Sequence, residues 1–261
     1  MKTDSTAAIG PGTTSGTASG EEIDRFARIA QAWWDPNGAF RPLHGLNPLR
    51  AAYVRDQLCR HFGRDIGAEA PLAGLRIIDI GCGGGLLSEA LARMGASVVG
   101  IDAESESVGI ATAHAAAEGL TIDYRVALPE DLAKDLAAAS GERFDAVVSM
   151  EVIEHVADVS AFAAAARTLV RPEGALIVAT LNRTLKSLAL AKIGAEYVLR
   201  WLPIGTHDWR KFVKPSELAA LFRRNRLALR DLAGFEYDVL NGTWTLSRDL
   251  AVNYVAFAVP E

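Results

Sequence analysis

The chain has 261 residues, of which 50% are hydrophobic and 23% are charged, a balance typical of a globular protein with one buried α/β core. Its formal net charge of −5 argues against a nucleic-acid partner, because proteins that bind phosphate backbones are usually basic. The two cysteines, Cys59 and Cys82, show no CxxC or Cys/His spacing for zinc, which fits a reducing compartment.

The N-terminal residues 1–20 are rich in glycine, serine and threonine. They contain neither the apolar core of a signal peptide nor the arginines of a transit peptide. Because this stretch can bury so little apolar surface, we expect a disordered tail over residues 1–20. The absence of a targeting pattern predicts a cytoplasmic protein.

Residues 21–70 are predicted to form an N-terminal helical cap. The stretch EEIDRFARIAQAWW repeats apolar side chains at helical spacing. After a run of turn residues, NPLRAAYVRDQLCRHF predicts a second helix, with Asn47 as its N-cap and Pro48 as its first helical residue.

Strands and helices then alternate as far as Thr180. Buried strands are expected at RIIDIG, SVVGID, IDYRVA, FDAVVSM and ALIVAT, with helices at LLSEALARMG, ESVGIATAHAAAEG, EDLAKDLAAAS and SAFAAAARTLV. Short apolar strands separated by helices predict a mostly parallel sheet that is covered on both faces. The fold class is therefore α/β.

The alternation stops after Thr180, where residues 182–214 form an insertion. KPSELAALFRRN predicts one more helix, and the stretches LALRDLAGFEYDV and DLAVNYVAFAVP predict an antiparallel hairpin at the edge of the sheet. No interdomain linker is visible, so residues 21–261 are predicted to form a single domain.

The stretch IIDIGCGGG places four glycines in five positions, between the first strand and the first helix of the alternating series. Glycines there tolerate positive φ and leave bare backbone for a ligand. The pattern is GxGxG and not the dinucleotide pattern GxGxxG, because Leu86 stands where the last glycine would be. Asp79 just before the loop disfavours a diphosphate, and Asp102 after the second strand could bind a ribose diol.

These features favour an adenosyl ligand without phosphate, such as S-adenosylmethionine. Two other interpretations stay open. In one, the glycines form a structural turn and Asp102 only caps a helix. In the other, the protein is a nicotinamide-binding or non-catalytic Rossmann protein.

IIDIGCGGG resembles the first motif of the class I S-adenosylmethionine-dependent methyltransferases, and VVGID resembles their second-strand acid. Four further stretches resemble the ubiquinone biosynthesis O-methyltransferases more narrowly: WWDPNGAFRPLHGLNPLR, MEVIEHV, TLNRTLKSLALAKIGAEYVLRWLPIGTHDWRKFVKP and VNYVAFA. The resemblance implies a Rossmann-like fold with a mostly parallel, seven-stranded sheet that ends in an antiparallel hairpin.

The resemblance also implies a cofactor site for S-adenosylmethionine, formed by Arg50, Gly81, Gly83, Asp102 and Met150. Arg50 could hold the methionine carboxylate in a bidentate pair, and Met150 could lie beside the adenine. The residues around Leu128 and Pro129, just after the third strand, are further candidates for contact with the adenine.

The stretch EVIEH carries Glu151, Glu154 and His155, which would share one face if the segment were helical. Two carboxylates and an imidazole could then hold a divalent ion such as Mg²⁺. Alternatively, Glu154 orients His155 as the general base, so that these two residues are the catalytic candidates. The remaining alternative is an ion pair at a helix start.

The insertion combines positive charge with apolar surface. Seven of its residues are basic, at positions 183, 186, 192, 200, 210, 211 and 214. Interior charges argue against a membrane span, whereas a basic helix with a wide apolar face fits a lipid surface, so residues 183–202 are predicted to contact the membrane. The alternative is a lid packed on the core.

The family resemblance implies O-methylation of phenols that carry a polyprenyl tail, namely 2-polyprenyl-6-hydroxyphenol and 3-demethylubiquinol. It further implies a peripheral location on the inner face of the membrane and association with other enzymes of ubiquinone biosynthesis. A class I methyltransferase that acts on another small acceptor is the alternative.

Overall fold

A computed structural model describes residues 33–38, 40–139, 142–189, 208–238 and 241–261. The predicted tail and most of the first predicted helix lie outside these residues, as does the middle of the insertion, 190–207. Trp33 and Trp34, the last two residues of that predicted helix, are helical.

Apart from one additional strand near the C-terminus, the elements follow one another in the order that the sequence predicts. Helices and strands of the described chain are α1 (Arg41–Phe62), β1 (Arg76–Ile80), α2 (Leu86–Arg93), β2 (Ser97–Asp102), α3 (Ser105–Ala117), β3 (Asp123–Val126), α4 (Pro129–Ala139), β4 (Phe144–Met150), α5 (Val159–Leu169), β5 (Val170–Leu181), α6 (Pro215–Arg224), β6 (Leu227–Asp238), β7 (Thr243–Ser247) and β8 (Asn253–Pro260). Leu185–Ser187 forms a single helical turn, and Trp209–Lys211 forms a short 3₁₀ helix.

One sheet connects all these strands in the order β3-β2-β1-β4-β5-β8-β6-β7. The strands β1 to β5 pair in parallel, and β8 pairs antiparallel with both β5 and β6. The chain order reverses at β1, which lies between β2 and β4. Ligands of open α/β sheets bind at such a reversal, outside the carboxyl ends of the strands.

The strands are apolar because helices cover both faces of the sheet. In β1, Ile78 and Ile80 pack in the core under α5 and α6, whereas Ile77 packs in the core under α1 and α2. Successive side chains of a strand point to opposite faces, so Asp79 lies on the same face as Ile77. The expected α/β class, with a parallel centre and an antiparallel end, is confirmed.

Helix α1 begins at Arg41, earlier than the predicted start at Asn47 and Pro48. Pro42 occupies its first turn, where a missing N–H costs nothing, and Pro48 lies inside the helix. Asn47 is not a cap, because its Nδ2 donates to the backbone carbonyl of Leu86 at 2.9 Å. The predicted cap is wrong because this long-range bond and Pro42 outweigh the local pattern.

The sheet has eight strands where the sequence predicts seven. The predicted long loop between the last two strands contains β7, which pairs antiparallel with β6 and places Trp244 opposite Tyr237. β8 lies between β5 and β6, so the sheet edge is formed by β7. None of the helices in the described ranges is both long enough and apolar enough to cross a membrane.

Candidate active site

The glycine loop connects β1 to α2 at the point where the sheet order reverses. The N–H groups of Gly81 and Cys82 donate to the carbonyl of Ile101 at 2.8 and 3.0 Å, which fixes the loop against the end of β2. Gly81, Gly83 and Gly85 have φ values of +75°, +52° and +90°. Other residues adopt this left-handed region only with strain, so the turn itself requires these three glycines.

Side chains of the protein fill part of the space that the glycines leave. A Cβ on Gly81 would lie 2.2 Å from Cγ2 of Val152, and one on Gly84 would lie 2.1 Å from Nε1 of Trp33. The sequence predicts bare backbone for a ligand, but at these two positions the absent Cβ makes room for the chain itself.

Asp102 lies at the carboxyl end of β2 and faces the loop. Its Oδ2 accepts from the N–H of Gly83 at 3.0 Å, and its Oδ1 accepts from the N–H of Glu104 at 2.9 Å. The bond from the N–H of Glu104 is the contact expected if Asp102 only caps the start of α3. Since each carboxylate oxygen can accept more than one hydrogen bond, Asp102 could also accept from a ribose diol.

Arg50 reaches the same edge of the sheet from α1 and forms an ion pair with Glu151. Arg50 is only 6% exposed, and burial lowers the pKa of its guanidinium to about 10, although Asp79 and Glu154 favour its charge. The Nε of Arg50 is buried and has no hydrogen-bond partner in the described part of the chain. Arg50 therefore keeps one donor that a ligand could satisfy.

Glu151 adopts a φ of +54°, in the left-handed region that residues other than glycine enter only with strain. Its backbone N–H donates to the carbonyl of Ala179 at 2.9 Å. The strained backbone follows directly after β4, where the Glu151 carboxylate bonds to Arg50. Such strain is often found at ligand sites, and here it accompanies a buried arginine.

Asp79 is buried on the same side of the sheet. The hydroxyl of Ser88 donates to its Oδ2 at 2.7 Å. Burial raises the pKa of the Asp79 carboxyl to about 6, with a further increase from Asp102 and an opposing effect from Arg50. The loop is thus flanked by two carboxylates and one guanidinium.

The segment after β4 is a turn, so the helical face that would gather Glu151, Glu154 and His155 is not formed. Glu154 is buried, and its Oε2 accepts from the hydroxyl of Thr180 at 2.8 Å. Burial raises the pKa of its carboxyl to about 7. The carboxylate bonds to Thr180 and is not positioned to orient the imidazole of His155.

His155 lies at the surface of the same turn. Partial burial and, to a smaller extent, the positive charge of Lys211 lower the pKa of its imidazole. A lowered pKa keeps the imidazole neutral at neutral pH, which is the form that can accept a proton.

The predicted magnesium ligands do not form a set in this geometry. Glu151 bonds to Arg50, Glu154 points inward to Thr180, and His155 lies at the surface. Within the described ranges, no group of three or more His, Cys, Asp or Glu side chains could hold a metal ion. The donor arrangement therefore does not fit Mg²⁺.

Apolar side chains complete the edge of the site. Met150 ends β4 and is half-buried. Beyond β3, Val126 and Leu128 are 55% and 49% exposed, and the N–H of Ala127 between them donates to the carbonyl of Asp102 at 3.0 Å. An exposed apolar patch beside Asp102 could pack against a flat base such as adenine.

The two ends of the insertion lie side by side at the carboxyl end of β5. Nε1 of Trp209 donates to the carbonyl of Thr184 at 2.8 Å, and Nη1 of Arg183 donates to the carbonyl of Arg210 at 2.9 Å. Lys186 pairs with Asp249 at 2.5 Å. Two of the seven basic residues of the insertion, at positions 192 and 200, lie outside the described residues.

Sequence reasoning missed several residues of this edge. Trp33, Val152 and Thr180 all lie in the stretches quoted for the family resemblance, but no role was assigned to them, because each acts through a contact with a residue distant in sequence. The motif WWDPNGAFRPLHGLNPLR was the one signal for Trp33, but it did not say which part of the protein the tryptophan contacts.

Comparisons with known proteins show which proteins this chain is similar to. Residues 50–232 match a family model described as a methyltransferase domain. The chain is 52% identical over 244 residues to the ubiquinone biosynthesis O-methyltransferase of Paramagnetospirillum magneticum, covering 94% of this chain and 96% of that protein. It is 50% identical over 242 residues to the protein of the same name from Bartonella bacilliformis, covering 93% and 96%.

Among solved structures, the fold resembles the magnesium protoporphyrin IX methyltransferase of Synechocystis PCC 6803 with bound S-adenosylhomocysteine. The TM-score is 0.57 at 20% identity, and the match covers 91% of this chain and 94% of that one. This likeness concerns the fold alone.

Proposed function

Since this chain belongs to the family of ubiquinone biosynthesis O-methyltransferases, we propose that its acceptor is a phenolic hydroxyl of a catechol that carries a polyprenyl tail. The class I methyltransferase fold and the use of S-adenosylmethionine, both expected from the sequence, are confirmed. The proposed acceptors are 2-polyprenyl-6-hydroxyphenol and 3-demethylubiquinol. The observation that carries the proposal is the identity of 50–52% across 93–94% of the chain, a span that includes the insertion as well as the glycine loop.

The residues at the carboxyl edge of the sheet fit the cofactor. Asp102 would accept from the ribose hydroxyls, and the free Nε of Arg50 would donate to the methionine carboxylate. Asp79 and Asp102 give this edge negative charge, which favours a ligand that carries a sulfonium. Gly81 and Gly83 hold the loop in its turn, and Met150 borders the position of the adenine.

The cofactor supplies a methyl group that a positively charged sulfur has already activated. The protein has to orient the phenol and take its proton, because a phenol with a pKa of about 10 is a weak nucleophile at neutral pH. His155 is the proposed base, since its neutral imidazole lies at the surface of the site. Glu154 is proposed to act on the shape of the turn through Thr180, without touching the substrate.

Residues 183–202 are proposed to lie on the inner face of the membrane, where the polyprenyl tail is dissolved. The two ends of the insertion are held together directly after β5, close to the Glu154–Thr180 contact. The proposal rests on the basic and apolar residues in the sequence between them. Basic residues would be drawn to anionic lipid head groups and apolar ones would enter the interface. Association with other enzymes of the pathway and a cytoplasmic location complete the proposal.

The tail requirement can be tested by comparing two catechols that differ only in a short polyprenyl tail, with a doubly O-methylated catechol as a blocked control. We expect kcat/KM to be at least about tenfold higher for the tailed catechol, because burying each further CH₂ contributes about 0.8 kcal/mol. Equal kcat/KM values for both catechols would contradict the proposed acceptor class.

Membrane contact can be tested separately by sedimentation with liposomes. Lys192→Glu and Arg200→Glu should weaken binding to anionic liposomes, whereas Lys134→Glu makes the same charge change on α4, where the side chain is 76% exposed. If all three variants lost liposome binding equally, the overall charge of the protein would determine binding, and a specific role of the insertion would be contradicted.

A further inference from the structure

Two adjacent tryptophans lie against the glycine loop, although they precede it by about fifty residues in the chain. The indole of Trp33 lies over Gly83 and Gly84: a Cβ on Gly84 would lie 2.1 Å from Nε1, and one on Gly83 would lie 3.4 Å from Cζ2. Nε1 of Trp34 donates to the carbonyl of Gly84 at 3.1 Å. Both side chains therefore contact the same short stretch of backbone.

Gly84 differs from its neighbours in the loop, because its φ lies outside the left-handed region that Gly83 and Gly85 occupy. Its backbone conformation would therefore accept alanine. What excludes a side chain at this position is the indole of Trp33. The close approach of Trp33 thus accounts for one of the four glycines in the motif.

The two indoles are held in place from two helices. The ring of Trp34 stacks on the imidazole of His114 in α3, with 3.6 Å between the ring centroids and 1° between the planes. His114 in turn bonds through Nδ1 to the buried Glu89 at 2.7 Å. From α1, Nε2 of His44 lies 2.9 Å from the backbone oxygen of Trp33. This support fixes both indoles relative to the loop.

One polar atom in this arrangement has no partner. Nε1 of Trp33 is buried and lacks an acceptor within the described ranges of the chain. Buried N–H groups are almost always hydrogen-bonded, and an exception beside a ligand loop points to an acceptor that the ligand brings. Trp34, by comparison, has its N–H satisfied by Gly84.

We propose that Trp33 and Trp34 form one wall of the cofactor site, in which Trp34 fixes the glycine loop and Trp33 donates its Nε1–H to the bound cofactor. This inference depends on the cofactor site proposed above. Trp33 is then a cofactor-binding residue, and Trp34 is a positioning residue that acts through Gly84.

Calorimetry with S-adenosylhomocysteine tests the wall without measuring activity. Trp33→Phe keeps an aromatic ring but removes the N–H, and we expect the Kd to rise about threefold to tenfold. Trp33→Ala should raise it more. Trp244→Phe makes the matched change in β7, where the ring packs on Tyr237, and should leave the Kd unchanged. A wild-type Kd for both Trp33 variants would overturn the proposal, and so would tighter binding, because the indole would then obstruct the site.

Gly84→Ala provides a second test through a double-mutant cycle. In the wild-type background the added Cβ displaces the indole, so the Kd should rise. In the Trp33→Ala background the Cβ meets no indole, so Gly84→Ala should not raise the Kd any further. If Gly84→Ala raised the Kd by the same factor in both backgrounds, the Cβ would be straining the loop or meeting the ligand. That result would overturn the role of Trp33.

Hydrogen exchange on the wild-type protein keeps the proposal testable if a variant fails to fold. S-adenosylhomocysteine should slow amide exchange in residues 34–44 as well as in the loop at 81–86. Slower exchange in the loop alone would overturn the wall. If the wild type does not bind S-adenosylhomocysteine at all, the cofactor site itself is contradicted, and the two failures are thereby distinguished.

Discussion

Replacing Glu154 with glutamine should change how the stability of the protein depends on pH. The Glu154 side chain is buried, and burial raises the pKa of its carboxyl from an ordinary 4.5 to about 7, although the Thr180 hydroxyl favours the charged form. The folded protein therefore holds this proton more tightly than the unfolded chain does. The resulting stabilisation is complete below pH 4.5 and is lost as the pH rises through about 7.

The size of the effect follows from the two pKa values. The separation between 4.5 and about 7 corresponds to about 3.5 kcal/mol, because each pH unit is worth about 1.4 kcal/mol. Between about pH 5 and about pH 8, roughly 2.5 kcal/mol of it should be lost. Burial also raises the pKa of Asp79, to about 6, but Asp79 titrates in both proteins and cancels in the comparison.

Urea unfolding near pH 5 and near pH 8 measures the difference. On going to the higher pH, the wild type should lose about 2.5 kcal/mol relative to Glu154→Gln, which is a shift of about 1 M urea in the relative midpoint. Glu142→Gln is the matched control, because its side chain is 91% exposed, and it should follow the wild type. If the wild type and Glu154→Gln have the same pH dependence, the carboxyl titrates alike in both states and the reasoning is refuted.

Four further variants test the site. Asp102→Asn should raise the Kd of S-adenosylhomocysteine about tenfold or more by calorimetry, since a charged acceptor is lost; an unchanged Kd would contradict its cofactor role. Arg50→Met should destabilise the protein by about 2–3 kcal/mol in urea, because Glu151 loses its cation; unchanged stability would refute the pair. His155→Ala should lower kcat about 100-fold at unchanged Kd, and Lys211→Met should move the acid limb of the kcat profile to higher pH; a change in Kd alone would reverse the assigned role.

The parallel core of the fold could be predicted from the sequence because its strands are apolar on both faces. β2 and β4 begin and end at the predicted residues, and β1 and β3 differ from the prediction by at most one residue at each end. β5 begins at Val170, five residues before the predicted start at Ala175. β7 was not predicted, since it lies at the sheet edge and most of its residues are exposed. A half-exposed strand with polar residues looks like a loop when only hydrophobicity is considered.

The contacts within the site were harder to predict, because most of them join residues far apart in the chain. Arg50 and Glu151 are 101 positions apart, and Trp34 and Gly84 are 50 apart. Spacing placed Glu151, Glu154 and His155 on one face only if the segment were helical, and a turn at this point directs Glu154 inward to Thr180. Local periodicity identifies which residues are near one another in sequence, and only the packed sheet determines which of them meet.

The central claim is methyl transfer from S-adenosylmethionine to a phenolic oxygen of a polyprenyl catechol. The most direct measurement supplies cofactor with a labelled methyl group to the wild type and to His155→Ala, with a short-tailed polyprenyl catechol in detergent, and identifies the labelled product with and without EDTA. We predict a labelled aryl methyl ether from the wild type, formed at the same rate in EDTA because the described side chains form no metal site. Binding of S-adenosylhomocysteine without any labelled ether would contradict the proposed acceptor, and a rate abolished by EDTA and restored by Mg²⁺ would contradict His155 as the sole source of the phenolate.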